Sequence, residues 1–260
     1  MAEDVVAEVM RDYIHRLASE GTRVDGRKID EMRPLQITKG LIKSAEGSAQ
    51  VNLGDTTVIT GIKVIAGTPY PDRPNAGTLS TSVELVPLAS PTFETGPPRP
   101  NNIELARVVD RGIRESGMIP FDKLCITPKE KVWIVWADIH AIDYDGNLFD
   151  AASYATAAAL ACTKIPWSKV DPNRKDEPLP VQSWPVSLTC AKIRNELFVD
   201  PGLEEERIAE ARLTVAMDED DSIRAMQKGI GGALTTEEVE RVLDHCARLG
   251  PGVRSKIRGT

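Results

Sequence analysis

The sequence is poor in the residues that build metal and redox sites. It has three histidines (His15, His140 and His245) and four cysteines, at 125, 162, 190 and 246, none of them in a C-x-x-C pair. Only His245 adjoins a cysteine, so no metal-ligand spacing arises and a zinc site is not expected. Scattered cysteines in a chain of this size read as reduced core residues of a cytosolic protein. Aromatics are few as well, four each of Trp, Tyr and Phe, which makes a stacking platform for single strands a poor first expectation. No apolar run approaches the ~18 residues of a membrane helix. Met1 to Arg11 carries acidic residues and no apolar core of a signal peptide. These absences predict a soluble, cytoplasmic protein with no membrane partner. There is no G-x-S-x-G elbow and no Gly-Lys-Ser/Thr phosphate loop; the glycines at 229, 231 and 232 read as a turn.

What is present is an ordinary globular balance: 260 residues, 41% hydrophobic and 27% charged. That length buries enough surface to fold without a disulfide or metal staple. The formal net charge of −7, from 32 basic and 39 acidic residues, repels nucleic acid globally. Any contact with RNA or DNA must come from a local basic patch or a partner.

Periodicity predicts the elements. Residues 4–20 form an amphipathic helix, with Val5, Val6, Val9, Met10, Tyr13, Ile14 and Leu17 on one face and Gly21 as its stop. It packs on its own domain or partly on a partner. Strands follow from Leu35, then at 48–53 and 56–64 around a Gly54-Asp55 hairpin turn, then at 83–88, where Pro87 suggests an edge or a bulge. Asn101-Asn102 can cap a helix over about 102–117. Val132 to Ile142 is a mostly apolar strand that should be central and covered on both faces. Asp150 can cap an Ala-rich helix to about Thr163. The charged, proline-rich segment 168–182 reads as a linker. Strands at 184–191, 193–199, 211–217 and 222–228 then lead to a capping box, Thr235 with Glu238, and a last helix ended by Gly250-Pro251. Strands then helices in two blocks favour an α+β fold.

Two constellations carry possible chemistry. Arg107, Arg111 and Arg114 share one face of the 102–117 helix. They suit phosphate contacts, because guanidinium binds phosphate oxygens bidentately. The plainer reading is a solvated face with internal salt bridges, such as Asp110 with Arg107 or Arg114. Asp143, Asp145 and Asp150 sit beside a strand end, where carboxylates could hold Mg²⁺ or act as a general acid. The plainer reading is turn chemistry and an N-cap. An EF-hand fails, since Gly146 comes two positions early and Tyr154 stands where Glu belongs.

Several segments resemble the RNase PH superfamily: RVDGR (23–27) before RPL (33–35), GSAQVNLGDTTVITGIKV (47–64), IELARVVDRGIRESG (103–117) and the DYDGN turn with its Ala-rich helix. The likeness runs in order over about residues 20–250. PNAGTLSTSVELVPLASPTFETGPP (74–98), IELARVVDR (103–111) and VWIVWADIHAIDYDGNLFDA (132–151) look like the non-catalytic RNase PH-like subunit of the archaeal exosome. The resemblance implies an N-terminal helix over 1–22, one RNase PH unit over 23–167 and a second over 183–250. It implies a ring of six in which this subunit alternates with a catalytic RNase PH-like partner, under RNA-binding cap proteins. The ring takes single-stranded RNA and shortens it from the 3′ end, with inorganic phosphate as nucleophile and nucleoside diphosphates released.

The departures from the family's catalytic pattern set the expected role. Pro100, Asn101 and Asn102 stand where catalytic relatives place an Arg-Arg pair. Asp145 is followed by Gly146, Asn147, Leu148 and Phe149 instead of a Gly-Ser/Thr-Arg phosphate turn. Leu and Phe have no side-chain donors. Asp200 and Glu206 keep the six-residue spacing of an acidic pair. Without a phosphate grip, acids repel an anionic nucleophile. The resemblance therefore implies a chain that does not catalyse, needs no cofactor, structures the partner's site and contacts RNA through Arg107 and Arg111. The alternative is an active homo-oligomeric phosphorolytic 3′–5′ exoribonuclease of RNase PH type.

Overall fold

The computed structural model describes the backbone of residues 2–259 and the side chains of residues 10–259. Helix α1 (Ala2–Ser19) presents Ile14 and Ala18, one turn apart, to Ile193, Phe198 and Ile208. The N-terminal helix thus packs on its own chain. Val5, Val6 and Val9 of the predicted apolar face lie outside the residues whose side chains are described.

The first layer is built from β1 (Leu35–Lys39), β2 (Gly47–Leu53), β3 (Thr56–Gly67), β4 (Thr78–Leu85), helix α2 (Pro100–Glu115), β5 (Cys125–Thr127), β6 (Lys131–Asp143) and helix α3 (Leu148–Ala161). Its sheet runs β1-β2-β3-β6-β4, with β5 also paired to β6. The ladder is antiparallel except for β4 on β6, which is parallel and reached through the crossover containing α2. Strand β4 ends at Leu85 rather than running to Leu88, so Pro87 lies just beyond it, and β4 forms an edge of the sheet.

Strand β6 corrects one expectation. It is central in the ladder, but its burial alternates: Val132, Trp133, Val135, Ala137, Ile139 and Ala141 are buried, whereas Trp136 and Asp138 face outward. Period-2 geometry sends successive side chains to opposite faces, and α2 and α3 cover only one of them. The apolar run suits two covered faces, but in the fold only one is covered.

A short pair, β7 (Lys164–Ile165) with β8 (Glu177–Pro178), closes the proline-rich segment. Its far end is held by Leu179 N–H on the Thr163 carbonyl at 2.8 Å and Gln182 N–H on the Met118 carbonyl at 2.9 Å. The second sheet contains β9 (Val186–Ile193), β10 (Glu196–Val199), β11 (Ala211–Met217) and β12 (Ile223–Gly229), in antiparallel order β10-β9-β11-β12. Helix α4 (Leu203–Ile208), which the sequence reading lacked, lies between β10 and β11. Helix α5 (Thr236–Arg258) closes the fold.

Alanine sets the distance between the two sheets. Residues from Leu148 to Leu160 of α3 are all buried, with β2 and β3 on one side and β9 on the other. Six of those residues are alanines at 1% exposure or less, so backbone approaches backbone closely on both flanks.

Three helix ends differ from the sequence reading. Helix α2 starts at Pro100 with Arg99 as its N-cap, not at Asn101-Asn102; proline's fixed φ and missing N–H suit the first helical position. Helix α3 is capped by Asn147, whose side chain accepts from Asp150 N–H, so Asp150 sits inside the first turn. Helix α5 runs through Gly250-Pro251 to Arg258. Proline removes one helical hydrogen bond, and tertiary contacts hold the turns beyond it. Val253 and Ile257 enter the first core, and the Arg254 guanidinium donates to the carbonyls of Trp184 and Asp218 at 2.9 and 2.7 Å.

Candidate nucleic-acid interface

Helix α2 buries Leu105, Val108, Val109, Gly112 and Ile113, which leaves its arginines on the outer face. They are not equivalent. Arg114 is tied down: its Nη2 donates to Asp110 Oδ1 at 3.0 Å and to the Leu79 carbonyl at 3.1 Å. The expected internal ion pair thus forms with Arg114. Arg111 is half-buried, with long contacts to the Met226 carbonyl at 3.3 Å and Gln227 Oε1 at 3.4 Å. Arg107 is exposed and has no hydrogen bond or ion pair among the described residues. An open cleft of about 550 Å³ is lined by Arg107, Arg111, Pro100, Ile103, Glu104 and Gln227. Glu104 is the one acid there, and its Oε1 already accepts from Gln227 Nε2 at 3.1 Å and Arg212 Nη2 at 3.3 Å. The cleft therefore offers an anion two guanidinium groups and a neutralised carboxylate.

The acidic pair has a different character. Asp200 is fully buried with positive φ. Its Oδ1 accepts from Arg33 Nη2 at 2.8 Å and Asn147 Nδ2 at 2.7 Å. Its Oδ2 accepts from Arg33 N–H at 2.8 Å, Arg33 Nε at 3.0 Å and Arg27 Nη1 at 3.3 Å. Arg23, also buried, grips the same segment through Glu205 and the carbonyls of Val199 and Asp200. The RVDGR and RPL motifs thus work as a clamp of three arginines around the 199–206 turn. Sequence reading used them only as a family marker. The legible signal was three arginines in one polar stretch and an acidic segment, Asp200 to Glu206, far downstream.

Asn147 joins the carboxylates. Its Nδ2 donates to Asp200 and, at 2.8 Å, to Asp150 Oδ2, while its backbone N–H donates to Glu206 Oε1 at 3.0 Å. The turn needs Gly146, at φ +88, because a Cβ there would lie 2.5–2.7 Å from backbone atoms of Pro201, Gly202 and Leu203. Asp150 is buried and also accepts from Thr189 N–H and Thr189 Oγ1; burial pushes its pKa up to about 7. Glu206 accepts from the Tyr144 hydroxyl at 2.8 Å, and burial raises its pKa too. Burial likewise raises Asp145, although Arg33 opposes the shift. Asp143 accepts from the Tyr144 N–H. The three aspartates serve the turn and the clamp; among the described residues no group of His, Cys, Asp or Glu is arranged to hold a metal.

Where a phosphate turn would lie, the chain is apolar. Leu148 and Phe149 are buried, and the Arg212 guanidinium stacks 4.0 Å over the Phe149 ring. Phe93 stacks on Tyr144 with centroids 5.2 Å apart. These groups and Glu206 line a cavity of about 260 Å³. Its one guanidinium is spent on an aromatic face and on Glu104, so nothing in it is free to neutralise a phosphate.

Two domain models of the 3′ exoribonuclease family match the chain, domain 1 over residues 31–166 and domain 2 over residues 183–245. Exosome complex component Rrp42 of Methanocella arvoryzae is 48% identical, over 100% of this chain and 99% of its own length. Among solved structures, the Archaeoglobus fulgidus exosome with RNA bound to the active site superimposes with TM-score 0.94 at 46% identity, covering 97% of this chain and 99% of that one. An archaeal exosome core gives TM-score 0.92 at 43% identity, covering 99% and 100%. No helix among the described residues is long and apolar enough to cross a membrane. With both domains matched in order and a relative 48% identical over the whole chain, the chain belongs to the 3′ exoribonuclease family of RNase PH fold, beside the exosome components Rrp42.

Proposed function

We propose that this chain is the non-catalytic subunit of an archaeal exosome ring, alternating with a catalytic RNase PH-like partner below RNA-binding cap proteins in the cytoplasm. Its work is to complete the partner's site and to hold single-stranded RNA through Arg107 and Arg111. It is organised as an N-terminal helix, a first unit to about residue 167 and a second from about residue 183. Phosphate and any catalytic metal belong to the partner's site.

Three observations together support this reading. Asp200 is consumed by Arg27, Arg33 and Asn147, the phosphate turn is replaced by buried Leu148 and Phe149, and Arg107 is left unpaired on the surface. Phosphorolysis needs a held phosphate and a neutralised leaving group; this chain has kept a backbone grip instead. Contacts of that kind position RNA without reading its sequence. They also let a chain of net charge −7 bind RNA, because the charge that matters is local.

The test is phosphate-dependent shortening of a 3′-tailed RNA by the chain alone, the partner alone and the two together. Activity in the mixture well above either alone is expected. Nucleoside diphosphates released by this chain alone would revive the homo-oligomeric exoribonuclease. Assembled complexes carrying Arg107→Glu and Arg111→Glu should bind RNA at least ten-fold more weakly; unchanged binding would leave a scaffold that does not touch RNA.

A further inference from the structure

We infer that the RNA track continues past Arg111 into a second nucleotide-binding pocket, in which Tyr70 stacks a base while Arg73 holds the adjoining phosphate. This rests on the RNA-positioning reading above. The pocket lies at the other end of the arginine face. It is about 350 Å³ and is lined by Tyr70, Asp72, Arg73, Leu79, Arg114 and Phe121, among others. Arg114 stands seven residues beyond Arg107 on the same helical face, a rise of about 10 Å.

Three observations point to a single-stranded nucleotide. Tyr70 is 62% exposed on a 260-residue chain with only four tyrosines, and an exposed ring is an open π face for any base. Arg73 is exposed, and its side chain has no hydrogen bond or ion pair among the described residues. Arg114 is paired with Asp110 and the Leu79 carbonyl at the pocket wall, which leaves Arg73 as the unpaired guanidinium of the lining; Asp72, the one acid in the lining, is exposed at the rim. The loop that carries Tyr70 and Arg73 is anchored on both sides. Arg73 N–H donates to the Tyr70 carbonyl at 3.1 Å, Gly77 N–H to the Phe121 carbonyl at 2.8 Å, and Lys129 N–H to the Pro74 carbonyl at 3.0 Å and to Asn75 Oδ1 at 3.2 Å. A platform fixed before binding loses less entropy when the strand is captured.

The experiment uses the complex of this chain with its catalytic partner and single-stranded RNAs of increasing length. Tyr70→Ala and Arg73→Ala should each weaken binding of a long RNA about ten-fold, with Tyr70→Phe restoring it. The salt dependence separates the roles. Arg73→Ala should lower the slope of log K against log salt by about 0.7, and Tyr70→Ala should leave it unchanged. Photocrosslinking of 4-thiouridine-substituted RNA should label Tyr70. If Arg107→Glu and Arg111→Glu weaken binding while the Tyr70 and Arg73 variants do not, the pocket inference falls and the RNA-positioning reading stands. If no variant matters, both fall. If the Tyr70 and Arg73 variants alter recruitment of the cap proteins with RNA binding intact, the pocket is a protein contact and the inference is overturned.

Discussion

Asp200 accepts five side-chain or backbone hydrogen bonds from Arg27, Arg33 and Asn147 and has no exposure to solvent. Its charge is the counter-ion of a buried arginine, since Arg33 is itself 7% exposed. Removing one member of such a pair leaves the other charge desolvated and alone. Asp200→Asn should therefore cost about 3–5 kcal/mol of folding stability, read as a lowered urea midpoint. An Asp200→Asn chain as stable as the parent would sink the clamp. The six-residue spacing to Glu206 could be read in the sequence, but the job of the aspartate could not. Its three partners come from positions 27, 33 and 147, and only the fold makes them neighbours.

Helices carried their identity in the sequence better than their ends. The amphipathic faces of α1 and α2 follow from 3.6-residue spacing, and the Thr235–Glu238 box opens α5 as expected. Its C-terminus did not follow. Gly250-Pro251 is a strong local stop, yet burial of Val253 and Ile257 and the two Arg254 hydrogen bonds outweigh the lost backbone bond. Ile257→Ala should then behave as a core truncation, costing about 2–5 kcal/mol in chemical denaturation. A frayed segment beyond Leu249 would give a change within about 0.5 kcal/mol, as surface substitutions do. Strand β6 teaches the converse. An apolar run of that length is compatible with one covered face or two, and the choice depends on where α2 and α3 land. Helix α4 is six residues long, too short for periodicity to reveal.

At the scale of the whole molecule, Asp150 is a fastening between the two layers, joining the start of α3 to Thr189 on β9. Its folded pKa of about 7 lies above the ordinary aspartate value near 4. Between those values the folded chain holds a proton that the unfolded chain has lost. This group's contribution to stability is thus fully present below about pH 4, falls as the pH rises, and is gone above about pH 7. Asp150→Asn should remove that component, so its stability should exceed the parent's progressively as the pH rises from about 4 to 7. The asparagine oxygen can still accept from Asn147 and Thr189 N–H, while the Thr189 hydroxyl turns to accept from the amide. Parallel stability curves for the two proteins across that window would refute the assignment.

The α+β class, the hairpin of β2 and β3, the amphipathic helices and the arginine face of α2 were determined by the sequence itself. Each is a local pattern of side-chain size, charge and period, and such patterns survive without knowing the fold. The motifs also carried the family. Tertiary structure alone decided which arginine is free, which carboxylates are clamped, where α5 ends and which face of β6 is covered. Each of these depends on partners far apart in the chain, and the burial and hydrogen bonds that settle them exist only once the two sheets close around α3.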